Sequence, residues 1–340
     1  MEIPFLDRRE QHFLIPGPDG KLNLFLRYLP AGQLAAGTSG NVLYVHGATF
    51  PSGLSIAHRF GHHSWRDELN AADFDVWGLD FLGFGYSDRY PEMNLSAESS
   101  SPLGRSADAA EQIHCAVQFI LAHQAVSRLS IIAHSWGSMP ACRFAGAHPT
   151  LIDRLVLFGP IAQRNPSPVE PETNTLAWNV VTIENQWTRF IEDVPVDAEP
   201  VLLQTHFDEW ASAYLDSDPL AYMRDPVGVK VPCGPIADID TAWRGQLPYE
   251  PALVRAPVAL IRGEWDRLIT DQDARWLFDA FKESPNRRDI KISRATHLMH
   301  LELMRFALYR ESINFLLDND LPADRTSIGA SQQFQSSDTR

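Results

Sequence analysis

Apolar residues fall along this chain in two alternating rhythms. Short, nearly continuous apolar runs closed by glycine or a polar residue recur at NVLYVHG (41–47), DVWGLD (75–80), RLSIIAHS (128–135) and LIDRLVLFGP (151–160). They return at PVALIRGEWD (257–266) and DIKISRATH (289–297). Runs of this length and continuity suit strands buried on both faces. Between them the spacing turns helical. Residues 64–74 place Trp65, Leu69 and Ala72 on one side, and 106–125 align Ala110, Ile113, Val117, Ile120 and Leu121 behind Ser106 as the expected N-cap. Residues 136–148, 273–282 and 306–318 continue the pattern. Near the start, HFLIP and LNLFLRYL flank PGPDG, which predicts a hairpin. Strand and helix in regular alternation, with short joins, predict an α/β fold with a mostly parallel central sheet.

After Pro160 this rhythm stops for about 90 residues before the strand pattern resumes. Composition marks the same stretch. The whole chain has 340 residues and a formal charge of −14, yet residues 161–250 alone hold 15 acidic and 5 basic side chains and 10 of the 24 prolines. This segment is expected to be an inserted unit, mainly helical, with helices near 176–191 and 200–214. The division is therefore a core of 1–160 and 251–320, an insertion of 161–250, and a tail of 321–340 whose Ser, Gln and Asp content predicts disorder.

The charge excludes a nucleic-acid binder, which needs a basic face. No apolar run is long enough to span a bilayer, and MEIPFLDRRE lacks the basic-then-apolar order of a secretory leader. Three widely spaced cysteines, Cys115, Cys142 and Cys233, make no disulfide framework and fit a reducing, cytoplasmic setting. The oligomeric state is not legible.

Chemistry concentrates at Ala133-His134-Ser135-Trp136-Gly137, between a buried strand and a helix. A serine in that turn projects its hydroxyl from the carboxyl edge of the sheet, and small residues two positions either side relieve backbone crowding. Ala133 stands where glycine is usual. A serine hydroxyl needs a base to become a nucleophile. Asp266 follows the strand PVALIRGEW, and His297 follows DIKISRAT, which gives the order Ser135, Asp266, His297. Glu264 is the rival acid and His300 the rival base, the latter read as a surface or supporting histidine.

Together VLYVHG, LDFLGFGYSD, IIAHSWGSMPA, HPTLIDRLVLFGP, GEWDRLI and THLMHLE make the chain resemble the α/β-hydrolase fold family, capped members included, over roughly residues 12–320. The resemblance implies an α/β-hydrolase fold whose insertion is a cap. It implies a Ser135–His297–Asp266 triad and an oxyanion hole from the backbone N–H groups of Ala48 and Trp136. It requires no cofactor. The expected activity is hydrolysis of an ester, lactone or thioester through an acyl-enzyme. Candidate substrate contacts are Thr49, Phe50, Trp178, Glu184, Trp187 and Trp210, with Trp243 a further aromatic of the insertion.

HSWGS also resembles the elbow of proline-iminopeptidase-like aminopeptidases, whose caps grip a free amine with carboxylates. Glu184, Asp208 or Glu209 would do so here, although the HGGPG of those enzymes is replaced by His46-Gly47-Ala48-Thr49-Phe50. Carbon–carbon bond hydrolysis, and ligand binding without turnover, are also compatible with these residues. A serine at the elbow disfavours haloalkane and epoxide hydrolysis, which need a carboxylate there. In the cluster His58, His62 and His63 the i, i+4 pair lacks a third metal ligand of suitable spacing, and Gly83 and Gly85 lack the rest of a dinucleotide motif. His46 and Asp80 are expected to hold loops, and His134 to pack beside the nucleophile.

Overall fold

The computed structural model describes residues 3–32, 39–165 and 175–318. The expected tail at 321–340 lies outside them. The hairpin forms as β1 (Gln11–Pro16) and β2 (Asn23–Leu29). There follow β3 (Gly40–Val45), α1 (Trp65–Ala71), β4 (Phe74–Asp80), α2 (Ser106–Gln124), β5 (Leu129–His134), α3 (Ser138–Ala147) and β6 (Ile152–Phe158). Among the described residues the main sheet has eight strands. Beyond β6 it takes up Val258–Gly263 and then Arg287–Ile292, each parallel to its neighbour.

The described residues between Phe158 and Val258 add no strand to that sheet. They form β7 (Trp178–Val181), α4 (Ile183–Ile191), α5 (Gln204–Asp216), β8 (Val229–Pro232) and α6 (Gly234–Trp243). The chain closes with β9 (Val258–Gly263), α7 (Asp271–Ala280), β10 (Arg287–Ile292) and α8 (Arg305–Leu317). The main sheet runs β1-β2-β4-β3-β5-β6-β9-β10, antiparallel through β1, β2 and β4 and parallel thereafter.

One expectation inside the insertion needs correcting, and one helix adds to it. The helix expected over 176–191 begins only at Ile183. Trp178–Val181 is a strand paired antiparallel with β8, because Thr182 breaks the segment: its hydroxyl accepts the Asn185 N–H, and Asn185 returns the bond to the Thr182 N–H. Aromatic and β-branched residues before that cap favour a strand. Helix α6, which the apolar spacing does not predict, starts at Gly234-Pro235, where proline suits a first turn.

Ser106 is likewise not the cap of α2. Arg105 occupies that position without a side-chain capping bond to the helix, and the Ser106 N–H donates instead to Asp238 Oδ2 at 2.6 Å. A carboxylate from the insertion thus satisfies an orphan donor of the core.

Each face of the sheet carries its own apolar core. On one side Val42, Tyr44, Val76, Ile132, Phe158 and Ile261 pack under α1 and α8, where Trp65 stacks on Tyr309 at 5.5 Å and donates to Ser312 Oγ at 3.0 Å. On the other, Leu43, Val45, Leu79, Ile131, Leu157 and Leu260 meet α2, α3 and α7, and the same core continues into Phe190, Phe207 and Trp210 of the insertion. No described helix is long and apolar enough to cross a membrane.

Candidate active site

β5 delivers Ser135 to the carboxyl edge of the sheet with φ +56°, a left-handed backbone that a serine adopts only where the surrounding turn imposes it. Gly137 explains part of the constraint, since a Cβ there would sit 2.3 Å from the His46 carbonyl oxygen. The tight turn leaves Ser135 Oγ 2.7 Å from His297 Nε2. His297 follows β10 and presents Nδ1 to Asp266 Oδ2 at 2.8 Å. The other carboxylate oxygen accepts the backbone N–H groups of Leu268 at 2.9 Å and Ile269 at 3.3 Å. All three side chains are buried.

Glu264 is exposed and accepts the Arg294 N–H, so it takes no part in this chain of bonds. His300 is not at the surface. It is fully buried, neither ring nitrogen has a hydrogen-bond partner, and it packs on His134 at 4.6 Å and Phe158 at 5.3 Å. Burial and the neighbouring His297 hold its pKa well below the ordinary histidine range. His134 is held down in the same way, by burial first and then by His300 and His297, and its Nε2 lies 3.1 Å from the His297 carbonyl oxygen.

The loop after β3 is fixed by His46. Its Nδ1 bonds the Gly47 carbonyl at 2.7 Å and its Nε2 accepts the Phe81 N–H at 3.1 Å. Asp80 ties Ser52 and Tyr86 into the same edge. Trp136 turns its indole away from the serine and donates to Asp238 Oδ2 at 2.9 Å, while Arg105 Nε holds Oδ1 at 2.5 Å. Asp238 therefore binds the elbow, the start of α2 and the insertion at one buried carboxylate.

A cavity of about 130 Å³ opens over Ser135 and His297. Ala48, Thr49 and Phe50 line it, whereas Trp178, Glu184, Trp187 and Trp210 do not. Trp210 lies one layer back: fully buried, it donates to the Leu54 carbonyl and meets the Phe50 ring edge-on at 5.1 Å. Trp187 packs on Phe207, and the Lys230 ammonium sits 3.6 Å from the Trp178 ring centre. Trp243 instead carries the Arg164 guanidinium at 4.3 Å. Glu184, Asp208 and Glu209 are exposed to solvent. The remaining wall comes from Arg189 of α4, Ile236 and Ile239 of α6, and Leu268 and Leu298 from the loops beside Asp266 and His297.

Sequence reasoning missed those wall residues, because which side of α4 or α6 faces the serine depends on how the insertion docks. Two further omissions had readable signals. Gly159, the residue after β6, has φ +54°, and a Cβ there would lie 2.9 Å from the His297 ring. Glu302, the acid of THLMHLE, accepts the Thr296 N–H at 3.1 Å and also bonds the Thr296 hydroxyl, which steadies the residue before His297. Burial pushes its carboxyl up to about 7. Among the described residues no group of three metal-ligating side chains converges.

The family model described as alpha/beta hydrolase fold matches residues 40–302. The chain belongs to the alpha/beta hydrolase fold family. It is thereby placed among hydrolases. The fold is shared with an esterase from Exiguobacterium antarcticum at 13% identity and TM-score 0.59, the match covering 91% of this chain and 100% of that one. A thioesterase domain from the curacin biosynthetic pathway matches at 14% identity and TM-score 0.58, over 91% and 99% of the two chains. A serine hydrolase from the polyaromatic-hydrocarbon-degrading bacterium Cycloclasticus zankles matches at 17% identity and TM-score 0.56, over 90% and 97%. No curated protein matches the sequence significantly.

Proposed function

We propose that this alpha/beta hydrolase cleaves a carboxylic ester, lactone or thioester through an acyl-enzyme on Ser135. The observation that carries the reading is the unbroken run of hydrogen bonds from Ser135 Oγ through His297 to Asp266. In this reading His297 Nε2 takes the serine proton as Oγ attacks the carbonyl. Asp266 keeps the other proton on Nδ1 and stabilises the imidazolium that forms. The N–H groups of Ala48 and Trp136 hold the oxyanion, a contribution typically of about 3 kcal/mol per donor. The imidazolium then protonates the departing alcohol or thiol, and water repeats the sequence on the acyl-enzyme.

The insertion acts as a cap over this edge, its α4 and α6 side chains forming one wall and the Gly47-to-Phe50 loop another. A small, mostly apolar lining suits a short acyl portion. An aminopeptidase would need a carboxylate at the substrate amine, and no acidic side chain lines the cavity among the described residues.

The test is a panel of short p-nitrophenyl esters, thioesters and lactones run beside proline p-nitroanilide. Turnover of the acyl compounds that is lost in Ser135→Ala and His297→Ala is expected. Turnover of the anilide alone would overturn the assignment.

A further inference from the structure

Arg189 is the one Lys, Arg, Asp or Glu among the described residues lining the cavity over Ser135. Its guanidinium is divided. Nη1 bonds Glu192 and lies 3.9 Å from Asp193. Nη2 is buried and has no hydrogen-bond partner. A buried N–H of a permanent cation left unpaired is an unmet demand for an acceptor, because arginine does not relieve it by losing a proton. The apolar wall residues Ile236, Ile239, Leu268, Leu298 and Phe50 offer it no side-chain acceptor and lower the local dielectric, which strengthens any ionic bond formed there.

Glu184, Asp208 and Glu209, the acids named for a substrate amine, face solvent, and the one Lys, Arg, Asp or Glu lining the cavity among the described residues is Arg189. We infer that Arg189 selects a substrate bearing a carboxylate near its scissile carbonyl, so the preferred compound is a small half-ester, or the corresponding thioester, of a dicarboxylic acid. Guanidinium and carboxylate match in charge and geometry. This rests on the serine-hydrolase reading for the bond cleaved, but not for binding.

Binding is therefore measured without turnover, by calorimetry on the Ser135→Ala protein. Monoethyl fumarate, whose trans carboxylate cannot reach its own ester, is compared with ethyl crotonate, which carries a methyl group in its place. The expected result is tighter binding of monoethyl fumarate by at least about tenfold, with the preference falling towards unity in Ser135→Ala/Arg189→Gln. In the single variant the preference also shrinks between about 0.05 and about 1 M salt. Equal or better binding of the crotonate, no binding of either ester, or a preference that survives Arg189→Gln would overturn the inference. Should the double variant not fold, a salt-independent preference does the same. Reaction of wild-type Ser135 with a fluorophosphonate reports separately on the hydrolase reading, so the two fail independently.

Discussion

The carboxyl edge of the sheet and the inner face of the insertion wall the same cavity with different materials. At the sheet edge, positions are set by backbone. Ser135 sits at a strained strand end, Gly137 and Gly159 leave room where a methyl group would collide, and His46 and Asp266 are tied to main-chain N–H groups. In the insertion, what reaches the cavity is decided by side chains on helices. α4 buries Phe190 and Gln186, sends Glu184 to solvent and turns Arg189 inward. The contrast separates two kinds of position: those at the edge are held by backbone, and those of the insertion by the docking of its helices. Asp238 joins the two, and a change there reports on both.

The comparison can be broken most severely at the edge. Asp266→Asn keeps the shape but leaves His297 Nδ1 without its acceptor, and kcat is expected to fall by about 10⁴-fold with little change in melting temperature. Steady-state kinetics with the best ester of the panel measures it. Gly159→Ala should come next, because the added methyl meets the His297 ring at 2.9 Å and the left-handed φ adds about 1–2 kcal/mol of strain. A kcat loss of about 10²-fold accompanied by a lower melting temperature is the expected pair of results.

Asp238→Ala tests the joint. It strands the buried Trp136 indole and the Ser106 N–H, a cost of about 3 kcal/mol read from the denaturant midpoint. If the carboxylate also steadies the elbow, kcat falls more than KM rises.

The smallest effect is a pH slope. Burial raises the Glu302 carboxyl from 4.5 to about 7, so the folded chain holds this proton more tightly than the unfolded one. The associated stability is complete below about 4.5 and is lost as pH rises towards about 7. Melting temperatures of wild type and Glu302→Gln across that interval should therefore diverge, with the wild type losing more as pH rises. Parallel curves would remove Glu302 from the account.

Much of this edge is legible in the sequence, for a physical reason. A doubly buried strand needs a continuous apolar run, and the turn after it needs a small residue at a fixed offset. Ser135, Asp266 and His297 consequently stand at the ends of recognisable segments. Ala133 in place of glycine does not obscure the pattern. The insertion is less legible because its strands are short and its helices dock by shape. Trp178–Val181 merges, in the apolar spacing, with the helix that Thr182 begins. The aromatic candidates Trp178, Trp187 and Trp210 go to packing, and Arg189 carries no motif to mark it. Acidity misleads for the same reason, since a residue count does not say which side chains face inwards.

The central claim is that Ser135 is a nucleophile made reactive by His297. Intact-protein mass spectrometry after incubation with a fluorophosphonate tests it most directly. The account predicts one adduct per wild-type chain, located by peptide mapping at Ser135 and missing from both Ser135→Ala and His297→Ala. A wild-type chain that stays unlabelled, or an adduct that persists in Ser135→Ala, would contradict it.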